Sequence, residues 1–103
     1  MTKNYKLLYT PEAIEHIKHI AEWYNEQSNG LGTRFKNNLK TALTDILKKP
    51  LSHSCRYDDV RFAIPKKFPY AAHYTIDENN KTIIIHAIFA FKEDPDKWGK
   101  EIQ

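Results

Sequence analysis

Residues 60–91 read VRFAIPKKFPYAAHYTIDENNKTIIIHAIFAF, and in steps of two this stretch divides into three strands. In the first, Val60, Phe62 and Ile64 alternate with Arg61 and Ala63. In the second, Tyr70, Ala72, Tyr74 and Ile76 alternate with Ala71, His73 and Thr75. The third, residues 82–91, is apolar on both sides: Ile83, Ile85, Ala87 and Phe89 on one, Ile84 and Ile88 on the other. That pattern fits a strand covered on both faces. Residues 77–81 form a polar link of hairpin length between the last two strands. Pro65 and Pro69 keep the earlier link out of the ladder. Such a meander has an apolar face, carrying Phe62, Tyr74 and Ile85, that something must cover.

The cover lies upstream. Tyr5 to Tyr9 reads as a short first strand, and Thr10-Pro11-Glu12 as a helix start, with Thr10 capping, Pro11 at the first helical position and Glu12 favourable to the dipole. Ala13, Ile14, Ile17, Ile20, Ala21 and Tyr24 then recur at spacings of three and four, one apolar stripe. Ser28-Asn29-Gly30 and Gly32 break the helix. A second helix is expected from about Thr33 to Lys49, buried through Phe35, Leu39, Ala42, Leu43, Ile46 and Leu47 and ended by Pro50. Residues 51–59 read as a polar connector. Asp94 and Pro95 repeat the cap signal ahead of one last helical turn containing Trp98. The expected fold is therefore α+β: a helical hairpin on a small, mostly antiparallel four-stranded sheet in the order β-α-α-β-β-β, as one domain over residues 1–103.

Composition narrows the class. The chain has 103 residues, 13% of them aromatic, which speaks against disorder. A net charge of +3 is compatible with a nucleic-acid or acidic-protein partner without specifying one. A single cysteine, Cys55, precludes an internal disulfide, and it reads as a reduced thiol. No apolar run approaches the roughly 20 residues that span a bilayer, and no signal-peptide core is seen, so a cytoplasmic protein is expected. His16 and His19 sit a turn apart without a clear third ligand, so neither metal nor cofactor is expected.

The order of elements, with Tyr9-Thr10-Pro11-Glu12-Ala13, Val60-Arg61-Phe62, Phe68-Pro69-Tyr70-Ala71, Ile85-His86-Ala87-Ile88-Phe89 and Asp94-Pro95-Asp96-Lys97-Trp98, resembles the RelE/ParE superfamily of toxins from type II toxin–antitoxin modules. The resemblance implies a small growth-inhibiting toxin, held in a hetero-oligomer by a cognate antitoxin that wraps its surface. It also implies one of two targets: ribosome-bound messenger RNA, cleaved by the RelE-like branch, or DNA gyrase, poisoned by the ParE-like branch.

Cleaving RNA through its own 2′-hydroxyl, without a metal, needs a base, cations on the phosphorane charge and an acid for the leaving oxygen. The resemblance implies a strand arginine, matched by Arg61, nearby cations, and a histidine or tyrosine with an arginine just beyond the last strand. Lys66 and Lys67 supply charge for a nucleic acid or target. The last position instead reads Ala90-Phe91-Lys92-Glu93, where Lys92 alone suits a phosphate. Strand parity offers a substitute: Arg61, His73, Thr75 and His86 would share the face opposite the helices, a candidate acid–base set with a phosphate clamp. The outer positions Ile84 and Ile88, together with Trp98, are candidate antitoxin contacts. A non-catalytic binding module of the same fold is the alternative reading.

Overall fold

The computed structural model describes residues 5–51 and 54–90. The chain runs β1 (Lys6–Tyr9), α1 (Pro11–Gln27), α2 (Leu31–Lys48), β2 (Cys55–Tyr57), β3 (Val60–Ala63), β4 (Tyr70–Asp77) and β5 (Thr82–Ala90). The sheet order is β1-β5-β4-β3-β2, parallel between β1 and β5 and antiparallel elsewhere. Two helices on one sheet is the expected α+β class. The fifth strand, β2, is the difference: it lies inside the stretch that reads as a connector. Cys55 pairs with Arg61 and Tyr57 with Val60 around an Asp58-Asp59 turn, with Asp58 at φ 47°. The expected helical turn at 94–98, with Lys92 and Trp98, lies outside the described residues.

The helix starts follow from local chemistry. Thr10 is extended, at φ −70° and ψ 159°, and its hydroxyl accepts the Ala13 N–H at 3.1 Å. The same hydroxyl donates to the His86 carbonyl at 3.0 Å, tying the start of α1 to β5. Thr10→Ala removes both bonds. We expect a loss of about 1–2 kcal/mol, checked by urea denaturation, with Thr10→Ser recovering most of it. The second helix begins at Leu31, two residues ahead of the expected Thr33, because Gly30 takes φ 83° and turns the chain directly into it. Gly32 lies buried where the helices cross, its N–H donating to Asn25 Oδ1 at 2.8 Å.

One continuous core lies between the hairpin and the sheet. Ala13, Ala21, Phe35, Leu39, Leu43 and Ile46 from the helices meet Ala63, Ala72, Tyr74, Ile83, Ile85 and Ile88 from the strands. Tyr24, Phe35, Phe68 and Tyr70 close one end with ring centroids 5.0–6.1 Å apart. A second, smaller cluster of Phe62 and Ala71, with Tyr57 and Val60, occupies the reverse face.

Two expectations of strand parity fail for identifiable reasons. In β3, Ala63 pairs with Ala72 on the helix side while Phe62 pairs with His73 on the reverse side. Both faces of β3 carry apolar residues, and the face under α2 takes the small ones, leaving volume for Phe35 and Leu43. In β5, His73 pairs with Ala87 but Tyr74 pairs with Ile85, so His86 is an extra residue, a β-bulge. The bulge inverts the alternation beyond it. Ile88 therefore turns into the core, 3% exposed, and Phe89 turns out, 37% exposed. Ile88 was expected on the outer surface with Ile84, and it presents no surface for a partner.

Candidate functional site

The reverse face of the sheet carries most of the residues singled out in the sequence. His73 sits at its centre, 1% exposed, with its ring 4.0 Å from that of Phe62 and 5.0 Å from that of Phe89. The Tyr57 hydroxyl approaches His73 Nδ1 at 3.3 Å. Burial, with His86 nearby, lowers the His73 pKa to about 4. A neutral, sealed imidazole of this kind is a packing group. It cannot exchange a proton with a substrate it does not meet.

His86 is the opposite case. The bulge makes it exposed, and its Nε2 lies 2.8 Å from Thr75 Oγ1. Thr75 is cross-strand from Ile84, and Ile84 from Leu8, so these four side chains form a row at the β1 side of the face. Leu8 is 54% exposed, giving the row an apolar end.

Arg61 is elsewhere. It pairs directly with Tyr74, whose side chain enters the core, so Arg61 belongs to the rim of the helix side. Burial pushes the Tyr74 hydroxyl up to about 12, and the Arg61 charge partly opposes this. The acid–base set with a phosphate clamp expected from parity is thus divided between two faces. The error has one source: the parity was tied to Phe62 facing the helices.

The cation the reverse face does hold is Arg56, whose guanidinium carbon lies 5.3 Å from the Phe62 ring centroid. Arg56 was missed because β2 was missed. The signal was Tyr57-Asp58-Asp59-Val60, two acidic turn residues between strand-forming ones. Lys66 and Lys67 are exposed in the turn between β3 and β4. Among the described residues no group of three His, Cys, Asp or Glu side chains is arranged to hold a metal ion, and no helix is long and apolar enough to cross a membrane. His19 instead pairs with Glu15, Nε2 to Oε1 at 3.5 Å.

A concavity lies on the helix side. An open groove of about 400 Å³ is lined by Tyr9, Ile14, Ile17, Lys18 and Lys36, an apolar floor with two ammonium groups on its rim.

A family model described as the ParE toxin of the type II toxin–antitoxin system parDE matches residues 7–95. The chain belongs to the ParE toxin family. It is the toxin component of a type II toxin–antitoxin module, and an antitoxin is its partner. The toxin's fold is shared with a chain of the chromosomal ParDE system of P. aeruginosa, at TM-score 0.72 and 15% identity over 86% of this chain and 98% of that one. It is also shared with the intact E. coli RelBE toxin–antitoxin complex, at TM-score 0.67 and 15% identity over 86% and 99% of the two chains. The isolated E. coli RelE toxin matches at TM-score 0.66 and 15% identity over 96% and 99%. At such identities the likeness is one of fold. A search of curated protein sequences gives no match.

Proposed function

We propose that this toxin arrests growth in the cytoplasm by binding DNA gyrase, and that it does not cleave messenger RNA on the ribosome. The observation that carries the reading is the strand register: Arg61 stands opposite Tyr74 on the helix side, while His73 and His86 lie on the reverse side. Ribonucleolytic cleavage needs base, acid and cation around one phosphate. Here one histidine is sealed and neutral, the other is hydrogen-bonded to a threonine, and the arginine is on another face. The sequence from the end of β5 that would replace them reads Ala90-Phe91-Lys92-Glu93, where Lys92 alone suits a phosphate. The ParE description of the matching family supports the same choice.

What remains on the reverse face is binding chemistry. The Leu8–Ile84 pair gives an apolar patch beside Thr75 and His86, and Arg56 over Phe62 adds a cation at the other end. The patch supports contact with the antitoxin, replacing the Ile84–Ile88 pair of the sequence reading.

Two assays on the purified toxin test the proposal. We expect inhibition of gyrase supercoiling of plasmid DNA, and no new 5′ ends in primer extension on translating ribosomes. Cleaved message with unaffected gyrase overturns it, and no effect in either assay leaves a binding module. His86→Gln sharpens the test. Loss of a general base costs 10²–10⁴-fold. A residue that only binds keeps most of its effect when an amide replaces the ring, so we expect growth arrest by this variant within about tenfold of wild type.

A further inference from the structure

The two helices of the hairpin present opposite charges to solvent. Along α1 the exposed residues include Glu12, Glu15, Glu22 and Glu26, against Lys18. Along α2 they include Arg34, Lys36, Lys40 and Lys48, with Lys49 at its end, against Asp45. Among the described residues none of these α2 cations lies within ion-pair distance of a carboxylate; the ion pair on the hairpin is His19 with Glu15 on α1.

The uncharged residues of the two surfaces differ as well. Exposed Ile14 and Trp23 lie on α1, at 53% and 51%. The outer arc of α2 has no large exposed hydrophobic residue; its uncharged exposed residues include Thr33, Asn37, Thr44 and Thr41, whose hydroxyl donates to the Asn37 carbonyl at 3.1 Å. A protein interface is built around buried aromatic and aliphatic anchors. A surface of cations with hydroxyl and amide donors and no apolar centre is instead suited to phosphate oxygens. Arg34, Asn37, Lys40, Thr44 and Lys48 recur at steps of three and four, with Thr41 beside them, which makes one ridge about 21 Å long.

We propose that α2 is a contact ridge for the phosphate backbone of duplex DNA, with the acidic α1 beside it turning the rest of the hairpin away from the polyanion. The choice of duplex DNA rests on the gyrase reading, since that target holds duplex DNA while the toxin acts. The ridge would let one small protein hold the enzyme's DNA with α2 while another part of its surface engages the enzyme. It reads no sequence, because phosphate contacts position a protein and carry no base information.

The test uses the full-length toxin and a fluorescein-labelled 20-base-pair duplex, without gyrase, followed by anisotropy from 50 to 200 mM salt. Engagement of three or four phosphates gives a slope of log affinity against log salt of about −3 to −4. We expect the variant Arg34→Gln/Lys40→Gln/Lys48→Gln to bind at least tenfold more weakly at 50 mM salt and to lose most of that slope. All three side chains are exposed, and an unchanged melting temperature certifies the fold. The control Lys6→Gln/Lys18→Gln/Lys81→Gln, carrying the same loss of three charges elsewhere, is expected to bind within threefold of wild type. Equal weakening by the control overturns the proposal, as does undiminished binding by the α2 variant. Tighter binding to single-stranded RNA, or displacement of the duplex by polyglutamate at equal charge concentration, also overturns it. Because gyrase is absent, this result stands apart from that of the supercoiling assay.

Discussion

Gly32→Ala is expected to destabilise the toxin by about 2–4 kcal/mol and to lower its melting temperature by roughly 10–20 °C, the steric cost outweighing the better helix propensity of alanine. The reason lies in how closely the helices cross. A Cβ built on Gly32 would sit inside contact distance of the Ala21 carbonyl oxygen, 2.9 Å from the Ala21 carbonyl carbon and 2.8 Å from Asn25 Nδ2. The first two are backbone of α1 and cannot rotate away. Relief requires the helices to separate, which draws Phe35 and Leu39 out of the core and lengthens the Gly32 N–H bond to Asn25 Oδ1. Gly30 supplies the comparison. It needs its positive φ of 83°, but a Cβ there meets nothing within 4 Å, so Gly30→Ala is expected to cost about 1 kcal/mol, from strain alone. Urea denaturation of both variants decides the matter. A Gly32→Ala protein within 0.5 kcal/mol of wild type, or one more stable than Gly30→Ala, would show that the crossing is looser than described.

Gly32 also marks where the sequence was legible and where it was not. Its presence in a glycine-rich break was visible, and so were both apolar stripes, the Thr10 cap and the stop at Pro50, because each is written in residues a few positions apart. These local signals sufficed for the helical hairpin and for four of the five strands. The reason for Gly32 is not local: it depends on Ala21, on a helix whose crossing point no spacing specifies. The same holds for β2. Three residues with an exposed Cys55 and Arg56 are too few to show an alternation, and the Asp58-Asp59 turn that marks them becomes a hairpin only against the free edge of β3.

The site was less legible because it depended on parity, and parity is fragile. A single extra residue, His86, inverts the alternation of β5 and exchanges Ile88 for Phe89 on the reverse face. The bulge is stabilised from outside the strand: Thr10 Oγ1 donates to the His86 carbonyl, and the Ile88 N–H donates to His16 Nδ1 at 3.1 Å. Both partners belong to the start of α1, more than seventy residues away in sequence. In β3 the large residues Val60 and Phe62 suggested the core side, yet α2 required the small side chain of Ala63. His73, Thr75 and His86 share the reverse face, whereas Arg61 does not, and the catalytic reading depended on all of them together.

Buried His73 makes stability depend on acidity in a defined window. In the unfolded chain its imidazole titrates near 6.5. In the folded protein, burial and the neighbouring His86 hold it down at about 4. The unfolded state therefore binds the proton first, and stability, complete above pH 6.5, falls as the pH falls from there toward 4. The expected loss is about 2 kcal/mol by pH 5 and about 3 kcal/mol by pH 4, after which the native imidazole is protonated as well and the loss levels off. Asp77, held below its ordinary range by hydrogen bonds from Asn80, acts in the same direction only at lower pH. Urea titrations at pH 7.5 and 5.0 read the effect before the carboxylates contribute much. His73→Phe keeps an aromatic ring between Phe62 and Phe89 and removes the titration, leaving the half-buried Tyr57 hydroxyl to find water. The variant is expected to lose less than half of what wild type loses between these two pH values, whatever its stability at pH 7.5. Equal losses in the two proteins would place the proton-sensitive group elsewhere.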